Sequence, residues 1–80
     1  MYSYNIAMNA NDNVFYDTCR MIESKVQLAE KAKLLIDVDG SMIQIYRTPM
    51  GEIKVFNDYE VDAVYVDSDV ELPGRIIYGY

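Results

Sequence analysis

The sequence predicts an α+β fold in which one amphipathic helix packs on an antiparallel sheet of about five strands. Three observations carry this. Residues 2–8 alternate apolar and polar, as a half-buried strand does. From Val14 the apolar residues recur at steps of four and three, the period of a helix face. Beyond residue 33 alternation returns in short runs separated by turn residues. The element order is β-α-β-β-β-β in one domain spanning residues 1–80, with a short sixth strand at 75–80.

The first strand puts Tyr2, Tyr4, Ile6 and Met8 on one side and Ser3, Asn5 and Ala7 on the other. Asn9–Asn13 supplies turn residues, with Asp12 or Asn13 placed to cap the next element. The helix face is Phe15, Cys19, Ile22, Val26 and Ala29, flanked by Val14, Met21, Leu28 and Ala32. Lys31 and Lys33 suit its negative end.

Strands at 34–38 and 41–47 flank Asp39-Gly40, a two-residue hairpin signal. That turn pairs Val38 with Ser41, Ile36 with Ile43 and Leu34 with Ile45. The core face then consists of Leu34, Ile36, Ile43 and Ile45, continued by Ile53 and Val55 in the strand at 52–56. Thr48-Pro49-Met50-Gly51 is the intervening turn, with Pro at its first central position. The second face holds Leu35, Met42, Tyr46 and Phe56 among Asp37, Gln44, Lys33 and Lys54. Those four apolar residues are the expected interface of a homodimer. A further strand at 59–66 and a turn at Leu72-Pro73-Gly74 lead to the terminal strand with Tyr78 and Tyr80.

Composition narrows the functional class. The 51% hydrophobic content is ample for one folded core. With one cysteine there is no internal disulfide, and Cys19 falls on the apolar helix face as a small hydrophobe. The absence of histidine removes the commonest general base and transition-metal ligand. A net charge of −6 opposes nonspecific binding to nucleic acid or anionic membranes. No run reaches the ~18 apolar residues of a membrane span, and the start lacks the pattern of a signal peptide. These features lead us to expect a complete cytoplasmic product.

Leu34-Leu35-Ile36-Asp37-Val38-Asp39-Gly40-Ser41 is similar to the first signature of the haloacid dehalogenase-like phosphatases, an apolar strand ending in Asp-x-Asp-Gly-Thr. The resemblance implies Asp37 as phosphoryl nucleophile, Asp39 as general acid/base and magnesium between them. It covers eight residues, and Ser41 replaces the usual Thr. That family also needs a Ser/Thr, a Lys and an acidic pair on a much larger sheet, so the hairpin reading is preferred. The segment likewise fails the calcium-loop pattern, because position 46 is Tyr where a Glu is needed. Ser and Thr have no histidine to activate them, and no glycine-rich phosphate loop exists. No enzyme activity, cofactor or metal is therefore expected.

Binding remains. Between Val55 and Gly74 lie Asp58, Glu60, Asp62, Asp67, Asp69 and Glu71, with Tyr59 and Tyr65 among them and no lysine or arginine. In an extended chain each alternating triplet forms a row with carboxylates about 6.6 Å apart. That spacing is comparable to successive phosphates of a DNA strand. The expectation is a non-enzymatic protein-binding module whose partner-binding residues are these eight, set against a basic, nucleic-acid-binding surface of a host protein. In character, not in motif, the chain resembles small acidic inhibitors from phages and mobile elements that act as DNA mimics. The alternative is a homo-oligomeric structural or assembly protein that uses the second sheet face.

Overall fold

A computed structural model describes residues 1–74; the strand expected at 75–80 lies outside the described residues. The α+β class is as expected: among the described residues one helix lies on a six-stranded antiparallel sheet. The elements are β1 (Tyr2–Ala7), α1 (Asp12–Lys25), β2 (Glu30–Lys31), β3 (Leu35–Ile36), β4 (Met42–Thr48), β5 (Gly51–Asp58) and β6 (Ala63–Ser68). The sheet order is β1-β6-β5-β4-β2, and β3 also pairs with β4, so β2 and β3 together form one interrupted edge.

Asn11, rather than Asp12 or Asn13, caps the helix by accepting the Val14 N–H at 3.0 Å. Asp12 sits in the first turn, where its charge meets the positive end of the helix dipole. Phe15, Thr18, Cys19 and Ile22 form the buried stripe. The helix ends at Lys25, well short of the expected Ala32. Val26 turns extended, and the chain returns to the exposed edge of β4. There the Ala29 and Ala32 N–H groups donate to the carbonyls of Arg47 and Ile45. Val26 and Leu28 still reach the core, because alternation serves there as well as helical spacing did.

The largest departure from the expected fold is a one-residue slip in the central hairpin. Leu35 faces Ile43 and Ile36 faces Met42, and Asp37 N–H donates to Ser41 O. The loop is therefore Val38-Asp39-Gly40, with Gly40 N–H bonded to Asp37 O and Gly40 at φ +89°. This is a type I turn closed by a left-handed glycine. Asp39 keeps a negative φ, unlike the first residue of the expected two-residue turn. The side chains of Asp37 and Asp39 select it by accepting the N–H groups of Val38 and Ser41.

A one-residue slip exchanges the faces of a strand. Met42, Gln44 and Tyr46 point under the helix beside Ile53, Val55, Val64 and Val66, while Ile43 and Ile45 take the outer face. The expected interface thus divides. Met42 and Tyr46 are core residues, at 4% and 0% exposure, and only Leu35 and Phe56 remain outside.

The buried polar groups on this face are satisfied. Gln44 donates to Ala32 O at 2.6 Å, and the Tyr46 hydroxyl donates to Glu23 Oε2 at 2.5 Å. Burial and the Glu23 carboxylate push the Tyr46 hydroxyl far above the ordinary tyrosine range. In return, its hydrogen bond lowers the Glu23 carboxyl, with Lys31 at 2.9 Å assisting. A carboxyl lowered in the native state adds stability above its ordinary value, here 4.5, and loses it as the pH falls through the lowered one. Tyr46→Phe is expected to cost about 1–2 kcal/mol at pH 7. Urea titrations should show this deficit shrinking below pH 4.

Candidate functional site

Helix α1 covers one face of the sheet. Among the described residues no helix or strand covers the other, which is organised in rows because cross-strand neighbours share a face. One row is apolar, running Leu35, Ile43, Phe56, Tyr65 through four strands. The Phe56 and Tyr65 rings stack with centroids 4.7 Å apart. Toward the Val38–Gly40 and Tyr59–Asp62 loops the strands end in Asp37 and Asp58. In the opposite direction lie Ile45, Lys54 and Asp67, then Arg47 clasped by Glu30 and Glu52 at 3.2 and 3.1 Å.

At the loop end these parts enclose a groove of about 350 Å³. Among the described residues its apolar lining is Leu35, Ile36, Met42, Ile43, Phe56 and Tyr65, its acidic rim is Asp37, Asp39, Asp58 and Glu60, and no lysine or arginine contributes. The described ion pairs all lie elsewhere: Arg20 with Asp17, Lys31 with Glu23, and Arg47 with its two glutamates. The rim is held in place. Asp58 Oδ1 accepts the Glu60 and Val61 N–H groups at 2.9 and 3.3 Å, and Oδ2 accepts the Tyr65 hydroxyl at 3.3 Å. Burial, with Asp58's charge beside it, raises the Tyr65 hydroxyl above its ordinary range. The Ser41 N–H, 2.9 Å from Asp39, holds that carboxyl below the usual range, so it is ionised near neutral pH.

The two expected rows of charge do not form. Residues 59–62 are a turn, and the strand begins only at Ala63, so 58, 60 and 62 do not alternate along an edge. Asp58's side chain builds that turn by capping its N–H groups. Asp62, at φ +58°, points away to accept Ala10 N–H and Asn9 Nδ2 at 2.8 and 2.9 Å. Tyr59 also leaves the groove: its ring lies against Gly40 and its hydroxyl donates to Asp12 at 2.6 Å.

The second triplet sits at the other end of β6, roughly 17 Å away at strand rise. Asp67 accepts the Ser3 hydroxyl, Asp69 accepts Glu52 N–H, and Glu71 lies beyond the strand. Of the eight expected binding residues, Asp58, Glu60 and Tyr65 meet at the groove, whereas Tyr59, Asp62, Asp67, Asp69 and Glu71 do not line it.

Asp37, Asp39 and Ile43 were not among the expected partner-binding residues. Asp37 read as the end of a strand, Asp39 as a turn residue and Ile43 as core, and the three-residue loop brings them together. The phosphatase-like arrangement is not realised, because Ser41 leads into β4 and not into a helix. Among the described residues no three metal-capable side chains converge, and no helix is long and apolar enough to cross a membrane. No family model matches the chain, and no curated protein or solved structure matches it.

Proposed function

We propose that this chain is a non-enzymatic module that binds a basic, partly apolar segment of another protein in the groove at the loop end of the open sheet face. The observation that carries this is an apolar lining beside four carboxylates with no cation among the described residues there. Apolar contact supplies affinity, and the charge selects basic partners and speeds their encounter. Proteins that hold nucleic acid carry such basic segments, so inhibition of one of them is the sharpest form of the reading.

The test uses capture from lysate on the immobilised chain at two salt concentrations, beside a Leu35→Lys/Glu60→Lys variant. Both residues are exposed and neither side chain makes a hydrogen bond in the described structure, so the fold should survive. Captured basic proteins should bind the variant at least tenfold more weakly, about 1.4 kcal/mol, and wash off at higher salt. Equal capture by parent and variant would exclude the groove.

A homodimer is the second reading, favoured by Lys54 on the same face as Asp58, one apolar row away. Stacking two open faces with strands reversed brings Lys54 of one copy over Asp58 of the other. Sedimentation at micromolar concentration decides it, since a monomer there rules the dimer out.

A further inference from the structure

We propose that the segment held in the groove is an amphipathic helix, its apolar stripe on Ile43, Phe56 and Tyr65 and its lysines or arginines turned toward Asp39, Asp58 and Glu60. This rests on the reading of the groove as a site for a basic protein segment and names the form that segment takes.

Backbone hydrogen bonding favours a helix on this face. The groove's apolar row lies on the face of β4, β5 and β6, whose peptide groups pair sideways within the sheet. An extended segment laid on that face finds no backbone partners, and each N–H or C=O it buries there is left unpaired at a cost of about 1–3 kcal/mol. A helix closes its own hydrogen bonds and offers only side chains.

Dimensions agree. The row from Leu35 to Tyr65 crosses three inter-strand gaps, about 14 Å, which matches two and a half helical turns. The other face of this sheet already accepts a helix, through the Phe15, Cys19 and Ile22 stripe of α1, so a second helix would complete a three-layer arrangement.

Charge then fixes which way the helix lies. Among the described residues, four acids outside the ion pairs rim the loop end, whereas on the other flank of the row Lys54 lies opposite Asp67 and Arg47 is held by Glu30 and Glu52. A helix with cations along one flank therefore has one favourable orientation, toward the four acids, and one in which its cations approach Lys54.

The experiment uses three fluorescent 14-residue peptides and anisotropy at low and moderate salt. The first is a side-chain-stapled helix of Leu, Ala and Lys with the lysines on one flank. The second has the same composition in strict alternation with a central proline, which prevents a helix. The third is the stapled helix with Glu in place of Lys. The stapled basic helix should bind at least tenfold more tightly than either of the others, and more weakly as salt rises. Binding should fall at least tenfold in Leu35→Lys/Glu60→Lys and stay unchanged in Glu71→Lys, whose acid lies outside the groove.

If the proline peptide binds as tightly as the stapled helix, the helical form is wrong and the groove reading stands. Failure of both basic peptides overturns both. Equal binding to Glu71→Lys and to the groove variant shows attraction to net charge alone, and also overturns both.

Discussion

Met42→Asp is expected to unfold the domain, whereas Ile43→Asp, one residue further on, leaves it folded. Met42 is buried under α1, where the Tyr16 hydroxyl donates a hydrogen bond to its sulfur at 3.4 Å. Truncating such a side chain costs about 2–5 kcal/mol. The new carboxylate adds several more unless it protonates, because no lysine or arginine among the described residues lines the groove beside that position. A domain of 80 residues holds about 4–12 kcal/mol in total, so the sum exhausts it. Ile43 is half-exposed on the open face, and a charge there stays hydrated at a loss of about 1–2 kcal/mol. Circular dichroism and urea titration of the two variants check this. The opposite ranking would restore the two-residue Asp39-Gly40 turn and overturn the register on which the groove depends.

Gly51→Ala is expected to cost about 2–5 kcal/mol, a large effect for one methyl group. Gly51 adopts φ +143°, a region that L residues rarely enter, which alone costs about 1–3 kcal/mol. Its missing Cβ would lie 2.5 Å from Cβ of Asp69, where no rotamer change gives relief. Asp69 is fixed in turn: its N–H donates to Glu52 O at 2.9 Å and its carboxylate accepts Glu52 N–H at 3.0 Å. Thermal melts of Gly51→Ala and of Gly51→Ala/Asp69→Gly should show the double change recovering part of the loss. No recovery would place the whole cost in the backbone.

What the sequence made legible was governed by local physics. The start of α1, its Phe15–Cys19–Ile22 stripe and the turn at Pro49-Met50 all follow from periodicity and turn chemistry. The facing of β4 does not. Met42, Gln44 and Tyr46 on one side compete with Ile43 and Ile45 on the other, and hydrophobicity favours the isoleucines. The chain buries the more polar set because Gln44 and Tyr46 find partners in Ala32 O and Glu23, more than ten residues away in sequence. The loop that commits this choice depends on two aspartate side chains accepting nearby N–H groups.

The same ambiguity blurred the binding residues. An aspartate at the end of a strand reads equally as charge for a partner or as a cap for a turn, and Asp58 does the second while remaining on the rim of the groove. Asp62 is committed to the β1–α1 loop, and no local pattern announces a bond to Ala10 across the fold.

The pairing of β1 with β6 has a consequence for how the domain assembles. Tyr2 meets Ser68 and Ser3 meets Asp67, so the first strand finds its place only beside the last described one. Closing a loop of that length costs about 3–4 kcal/mol of chain entropy before any contact is gained. The three-strand meander β4–β5–β6 needs only short loops and is the natural nucleus, onto which α1 and then β1 add. Strand β1 is thus the last to be locked in, and until it arrives β6 presents an unpaired edge to neighbouring chains.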